Sequence, residues 1–554
     1  MSESEPMSVR SLPEVLSQQA ERLGPRPGLR YRRDGVWHGI SWAEYWRTVR
    51  DCALGLFAAG IEPGDRVGLV SENRIEWRLA DMGILAAGAV TVSPHATLAA
   101  AQILFELADS GATWLFVSGR VPVSVAEIAR RLPLKGIVSF DRVSGAASWD
   151  SFLASGSYSS RRAQEHFEKL QAQRTRDDLC CLLYTSGTTG TPKGVMLTHG
   201  NILFNCEGIQ KAHPRPIEGL VLSWLPLSHI FGRTVDHYLN LVQGATVVLA
   251  ESPESVISNC MELRPHYLAA VPRFYEKVLE ATRDPESASS PGRLRAALGG
   301  CIEWLTCGGA PLAPAVQAAY EEAGLPLYPG YGLTETSPVI SYNGPGHHKS
   351  GTVGPALPGV EVRIAADGEI LTRGPHVMKG YWNQAAASQE ALAGGWFHTG
   401  DLGSLDADGY LSITGRKKEI IVLSNGKKVV PSAIEGLLTA DQLIDQAMVT
   451  GEGKPFLSAV IVPCWSRVFH LLSPGSTLRQ LSVAELACRP EVRQMLTERI
   501  ASRLGEVAPW EQIRRFAIAT QPFSVDNGQL TVSLKLRRQA VLDHYAHQLA
   551  AATA

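Results

Sequence analysis

Leu182–Gly194 reads LLYTSGTTGTPKG, an apolar run that ends in glycines, hydroxyls and a lysine. The run Leu179–Leu183 predicts a strand that feeds Thr185-Ser186-Gly187-Thr188-Thr189-Gly190 and then Thr191-Pro192-Lys193-Gly194. Glycines let the backbone turn several N–H groups toward one point, the hydroxyls add donors, and Lys193 adds positive charge. That chemistry suits a polyphosphate. It is not a Walker A loop, because Thr191 and Pro192 stand where Gly-Lys-Ser/Thr is required.

Outward from this loop the pattern is α/β. Upstream, helices are predicted over Trp42–Ala59 and Ile75–Gly88, strands over Arg66–Val70 and Ala89–Ser93, and a turn at Gly64–Asp65. Such alternation predicts mainly parallel sheet covered by helices. Ser144–Arg162, rich in Ser, Gly and Arg, reads as a loop or subdomain linker. Alternation resumes at Leu179 and runs to about Gly324. From Gly351 the texture changes: TVGPALPGVEVRIAADGEILTRG predicts β-hairpins or a small barrel. Glu419–Pro431, EIIVLSNGKKVVP, is two β runs joined by Asn425-Gly426, a hairpin signal, and Pro431 opens the helix SAIEGLLTA. The β runs Leu457–Val462 and Arg515–Ala519 and the helix Leu536–Ala551 suffice for one small α+β domain. The boundary falls just before Arg416-Lys417-Lys418-Glu419, giving domains 1–415 and 416–554.

The 554 residues correspond to three or four domains or subdomains at about 150 residues each. With 45% apolar and 19% charged residues, disorder, collagen-like repeats and coiled coil are excluded for the whole chain. A net charge of −2 gives no electrostatic case for nucleic acid or an anionic membrane. No uncharged apolar run reaches the roughly 18 residues of a membrane span, Met82–Val92 being among the longest. The start, MSESEPMSVR, lacks the apolar core of a secretory signal. Nine scattered cysteines, with Cys180 and Cys181 adjacent and no CxxC pair, suggest neither a metal site nor a disulfide framework. A large soluble intracellular enzyme is the expectation.

YTSGTTGTPKGV resembles the signature of the AMP-forming adenylating enzymes, which include acyl-CoA synthetases, luciferases and peptide-synthetase adenylation domains. The stretches that carry the resemblance then follow in order. They are Leu225–Gly232 (LPLSHIFG), Cys307–Leu312 (CGGAPL), Tyr328–Pro338 (YPGYGLTETSP), Trp396–Asp401 (WFHTGD), Gly409–Glu435 and Leu530–Arg538 (LTVSLKLRR). The resemblance runs from about residue 12 to 545, and the wording from Trp396 to Glu435 is similar to the long-chain fatty-acyl-CoA synthetases.

The resemblance implies a large N-terminal domain of two βαβ-type subdomains plus a small β-barrel, then a mobile α+β C-terminal domain. It implies a two-step reaction: a carboxylate attacks the α-phosphate of ATP, giving acyl-AMP and pyrophosphate, and the thiol of CoA then displaces AMP. In that family Thr185, Ser186, Gly187, Thr188, Thr189, Gly190 and Lys193 would hold the β- and γ-phosphates. Glu335 would bind Mg²⁺, with Ser186 or Thr188 beside it. Tyr331 and Gly332 would face adenine against a backbone wall of Gly308, Gly309, Ala310 and Pro311, and Thr334 would donate to the α-phosphate. Asp401 would accept from both ribose hydroxyls, and Arg416 would add a ribose or phosphate contact. Lys535 would touch both the carboxylate and the α-phosphate, although Val532 stands where fatty-acid enzymes commonly have Pro. Lys418 would be the hinge, Gly426 would flank the pantetheine tunnel, and His229 would lie at the acyl carboxylate and thiol entrance. Trp224–Leu241 would line the acyl pocket; no Asp stands in an obvious position to grip an amino group, Asp236 being the nearest candidate.

The expected substrates are a medium- to long-chain fatty acid, ATP and CoA, in the cytoplasm and with at most peripheral contact at the inner membrane face. Three alternatives stay open: a fatty acyl-AMP ligase that loads an acyl carrier protein, an aryl or short-chain acyl-CoA ligase, and an inactive nucleotide- or lipid-binding homologue. Oligomeric state is not legible.

Overall fold

The computed structural model describes residues 9–185, 191–214, 219–282, 291–472, 481–531 and 536–551. Ser186, Gly187, Thr188, Thr189, Gly190, Val532 and Lys535 lie outside the described residues. The chain divides into two compact units: 1–363 with 371–399 and 407–411, and 364–370 with 400–406 and 412–554.

The first unit carries two eight-stranded sheets. In one, Arg66–Val70 pairs in parallel with Val90–Val92 and with Trp114–Val117, and Val90–Val92 pairs in parallel with Leu179–Thr185. In the other, Leu220–Ser223, Tyr267–Ala270, Trp304–Cys307 and Leu327–Gly332 run parallel in that order. The two expected βαβ-type subdomains are these sheets with their helices. Helix Trp42–Ala58 begins at a reciprocal cap: Ser41 Oγ accepts the Glu44 N–H, and the Glu44 carboxylate accepts the Ser41 N–H at 2.8 Å. Helix Ile75–Ala86 is buried along its whole length, which is why its sequence lacks a polar face.

The stretch Ser144–Arg162, expected as a linker, is mostly helical. Helix Trp149–Ser157 starts on Ser148, whose side chain accepts the Ser151 N–H, and it buries Trp149 and Phe152. Gly156 marks close packing here: a Cβ at this position would lie 1.8 Å from the Asp51 carbonyl oxygen on helix Trp42–Ala58. Four short strands, Glu361–Ile364, Glu369–Arg373, Phe397–Leu405 and Leu411–Arg416, form a small sheet where hairpins or a barrel were expected.

The second unit holds a three-stranded sheet of Ile444–Thr450, Leu457–Pro463 and Ile513–Ile518. It also holds the predicted hairpin, Ile421–Val422 against Lys428–Val429, with Gly426 at φ +79° in the turn. Helix Pro431–Thr439 follows with proline in its first turn, and helix Arg538–Ala551 packs Val541 and Tyr545 against the sheet.

Burial sets a pH dependence. It holds His199, His237 and His376 below the usual imidazole range, at about 3, about 4 and about 4. Below their ordinary value of 6.5 the unfolded chain therefore binds more protons, and stability falls as pH falls toward 4. Glu106 opposes this, because burial pushes its carboxyl from 4.5 up to about 8 and the folded chain then keeps the extra proton. His95, held at about 4, adds to the imidazoles, and Asp236, pushed up to about 6, sides with Glu106. Four imidazoles outweigh two carboxyls, so the urea midpoint should drop between pH 7 and pH 5. A flat or rising midpoint over that range would contradict this.

Candidate active site

Ligands of open α/β sheets gather at the carboxyl ends of parallel strands. In the first unit the candidate residues follow this rule. Thr185 ends strand Leu179–Thr185, His229 follows Leu220–Ser223, Gly309, Ala310 and Pro311 follow Trp304–Cys307, and Tyr331 and Gly332 end Leu327–Gly332. Thr185 lies directly opposite Lys193, the first residue of strand Lys193–Thr198, so the two frame the glycine-rich loop.

Lys193 Nζ sits 5.0 Å from the centre of the Tyr381 ring, a cation–π contact. The Tyr381 hydroxyl donates to Glu335 Oε1 at 3.0 Å, and burial together with that carboxylate drives the phenol well above its usual range. Strand Gly380–Tyr381 pairs antiparallel with Lys193–Thr198, and the Met378 N–H donates to the Glu335 carbonyl at 2.8 Å. One aromatic ring thus gathers the loop lysine and the glutamate of TET. Tyr381 belongs to none of the motifs, and its sequence gives no signal of this role.

Thr334 and Glu335 lie half-buried in the 3₁₀ turn Thr334–Thr336. Thr336 Oγ1 braces the turn, accepting the Leu333 N–H at 2.9 Å and donating to the Pro338 carbonyl at 2.6 Å. Asn205 clamps the next strand, its Nδ2 donating to the Val339 carbonyl at 2.7 Å while Oδ1 accepts the Val339 N–H. A Cβ on Gly332 would stand 1.7 Å from the Pro338 carbonyl oxygen, so only glycine fits there. A Cβ on Gly308 would meet the Phe231 ring at 3.1 Å, which brings the loop after His229 against the CGGAPL segment. Gly309 has φ +85° and is exposed with Ala310 and Pro311.

His229 is half-buried, and its Nδ1 accepts the Phe231 N–H at 3.2 Å. The segment before it is held by Asn73, which donates to the Trp224 and Leu225 carbonyls and accepts the Leu227 N–H at 3.0 Å. Asp236 is fully buried and its Oδ2 accepts the Trp224 and Leu225 N–H groups, both at 3.2 Å. Burial pushes its carboxyl to about 6. Asp236 therefore holds backbone and does not face a substrate amine.

Beneath this segment lies a buried ionic network that the motifs do not reveal. The Arg233 guanidinium donates to Asp81, to Ser93 Oγ at 2.8 Å and to Tyr238 Oη at 3.0 Å, and Tyr238 donates to Asp81 at 2.7 Å. Arg78 donates to the Asp236 carbonyl at 3.0 Å and to Ser223 Oγ. Burial alone would raise the Asp81 carboxyl, but Arg233 overrides it and holds Asp81 well below the usual range. Arg233 and Asp236 belong to the π-helical segment Gly232–Tyr238. A sequence signal was present: Glu76, Arg78 and Asp81 interrupt an otherwise apolar helix, and such charges are buried only when paired.

In the second unit Asp401 is buried on strand Phe397–Leu405, and Arg416 Nε lies 2.8 Å from its Oδ1. Lys417 Nζ pairs with Asp367 at 2.6 Å and Glu369 at 2.9 Å, and Glu369 accepts the Gly400 N–H. The charged run is thus more than a solvated turn: Lys417 braces the backbone beside Asp401, and Lys418 is exposed on the 3₁₀ turn Lys417–Glu419. Gly426 is exposed, its positive φ being the local reason for glycine. Arg538 grips Glu435 with two 2.7 Å bonds and Glu419 with one of 3.1 Å, tying the start of the last helix to the charged run.

The sequence profile of the AMP-binding enzymes matches residues 16–382, and that of the AMP-binding enzyme C-terminal domain matches residues 418–553. The chain belongs to the AMP-binding enzyme family. The resemblance read from the motifs is borne out. Among similar family members is the long-chain-fatty-acid–CoA ligase FadD15 of Mycobacterium tuberculosis, 35% identical over 94% of this chain and 93% of that protein. Among solved structures, the anthranilate CoA ligase AuaEII with anthranoyl-AMP superposes with a TM-score of 0.79 at 20% identity, over 99% of this chain and 100% of that one. The o-succinylbenzoate CoA synthetase of Bacillus subtilis, in complex with ATP and magnesium, gives 0.72 at 24% identity over 95% and 98%. At these identities the two structures speak for the fold, which is the one expected for an AMP-binding enzyme.

Proposed function

We propose that this AMP-binding enzyme activates a medium- to long-chain fatty acid as its acyl-adenylate and transfers the acyl group to CoA. The observation that carries the nucleotide half is the Lys193–Tyr381–Glu335 cluster at the strand ends. It sets a cation and a carboxylate beside the glycine-rich loop, as phosphate binding with a divalent ion requires. The choice of acid is supported by the likeness to FadD15 over nearly the whole chain.

In the first step a carboxylate oxygen forms a bond to the α-phosphorus of ATP, and the bond to pyrophosphate breaks. In the second the CoA sulfur bonds to the acyl carbon, AMP leaves, and the thiol proton passes to solvent. We assign Thr185 and Lys193, with Ser186, Gly187, Thr188, Thr189 and Gly190, to the outer phosphates, and Thr334 to the α-phosphate. Gly309, Ala310, Pro311, Tyr331 and Gly332 are assigned to adenine, Asp401 and Arg416 to the ribose, and His229 to the acyl end. Lys535 would bridge the carboxylate and the α-phosphate. Lys418 would be the hinge at a 415/416 boundary, and Gly426 would flank the pantetheine arm.

Mg²⁺ fits the donor set. Among the described residues no three His, Cys, Asp or Glu side chains gather to hold a metal by themselves. One carboxylate, Glu335, completed by substrate phosphates and water, is how Mg²⁺ is held in nucleotide sites. When bound, the ion would neutralise phosphate charge; Tyr381 keeps the Glu335 carboxylate aimed while Lys193 supplies the protein's own positive charge.

ATP and CoA as co-substrates favour a cytoplasmic reaction. No helix among the described residues is long and apolar enough to cross a membrane. Exchange of labelled pyrophosphate into ATP tests the first step: palmitate or a similar acid should support it without CoA. Exchange with amino acids and none with fatty acids would overturn the assignment.

A further inference from the structure

His95 follows strand Val90–Val92 of one eight-stranded sheet, while Ser228 and His229 follow strand Leu220–Ser223 of the other. The two loops meet through a hydrogen bond, Ser228 Oγ to His95 Nδ1 at 2.7 Å, with the rings of His95 and His229 6.1 Å apart and tilted by 32°. Among the described residues this is the hydrogen bond that the His95 side chain makes, so the Ser228 side chain sets the orientation of the ring.

Both loops are delivered there by the buried network. Arg233, four residues past His229, donates to Ser93, two residues before His95, and the Arg233 N–H donates to the His229 carbonyl at 2.9 Å. Asn73 and Asp236 fix residues 224–227 but reach no further along the segment. At residue 228 a link to the opposite sheet is His95. Burial holds the His95 imidazole at about 4, so the ring is neutral at physiological pH and can accept the serine hydroxyl at Nδ1.

We propose that His95 is a positioning residue for the acyl end of the site: through Ser228 it fixes the backbone that carries His229, and thereby the placement of the reacting carboxyl group. This rests on the reading of His229 at the acyl end. The bond is built from the opposite sheet, so its loss removes this tether from the loop while the phosphate-side cluster of Lys193, Tyr381 and Glu335 stays as it is. A small displacement of a positioning group costs turnover steeply, and that predicts a loss in kcat with ATP binding spared.

The test compares the full-length enzyme with His95→Ala, His95→Asn, Ser228→Ala and the His95→Ala/Ser228→Ala double variant. Each is assayed with whichever acid gives the fastest wild-type turnover. If that acid is not a fatty acid, the substrate assignment fails while the test of His95 still runs. His95→Ala and Ser228→Ala should each lower kcat about tenfold with KM for ATP within about twofold of wild type. The double variant should be no worse than either single, because both remove one bond. His95→Asn, whose amide oxygen can take the place of Nδ1, should recover most of the activity. Wild-type kcat in His95→Ala, multiplying losses in the double variant, or an ATP KM that rises in step with the fall in kcat would each overturn the proposal. Should His95→Ala fold poorly, Ser228→Ala and His95→Asn decide it alone.

Discussion

Lys535→Ala should lower acid-dependent pyrophosphate release by about 10²-fold or more, equivalent to roughly 3 kcal/mol of transition-state stabilisation. The lysine stands in LTVSLKLRR, where the resemblance assigns it to the carboxylate and the α-phosphate together. Two anions must approach in the first step, and a single compact ammonium can lie between them. Lys535→Arg should rescue little, because a planar fork does not replace a point charge there. The second step offers a control within the same variant. Acyl-AMP supplied ready-made should still react with CoA at close to the wild-type rate, since its carboxyl is already joined to phosphate. If both half-reactions fell together, or if only the KM for ATP rose, the assignment of Lys535 to adenylation would be wrong.

Asp81→Ala should destabilise the first unit by about 3–5 kcal/mol, read as a lower midpoint in chemical denaturation. The substitution leaves Arg233 fully buried with no carboxylate, while Ser93 and Tyr238 remain as neutral partners only. The paired double change Asp81→Leu with Arg233→Met should cost far less, because it removes both charges and fills the space with apolar atoms. The sign with pH follows from the depressed carboxyl: the pair's contribution is complete above the ordinary aspartate range and is lost as pH falls below it. A single variant as stable as wild type would mean that Arg233 finds another anion. A double variant as damaged as the single would place the cost in shape and not in charge.

Much of this molecule was legible in its sequence, for identifiable reasons. The glycine-rich loop and the strand before it carry a backbone requirement that few residue types satisfy, and Thr185 and Lys193 do face one another across its two ends. Asn425-Gly426 announced a hairpin through its need for positive φ, and Pro431 announced a helix start through its fixed φ. Ser144–Arg162 was misread because Gly156 and the serines look like loop chemistry. Ser148 and Ser160 are helix caps, and Gly156 is where two helices touch. Tyr381 was invisible because its role depends on a strand that brings residues 193 and 335 to one ring, a contact without any local pattern. Asp236 was the nearest acid to an amino-gripping position but not in an obvious one, and its carboxylate binds the backbone of residues 224 and 225. His95 stands in an ordinary loop, and only the meeting of the two sheets gives it Ser228 as a partner.

A fatty acid joined first to AMP and then to CoA releases pyrophosphate in the first step and AMP in the second. The most direct measurement follows pyrophosphate, AMP and acyl-CoA together, with ATP and Mg²⁺, across acids from acetate to oleate plus benzoate, with and without CoA. Turnover should peak with a medium- to long-chain acid, require CoA, and yield the three products in equal amounts. A single burst of pyrophosphate that stops at bound acyl-AMP whether or not CoA is present would contradict it and point to a carrier-protein thiol as the acceptor.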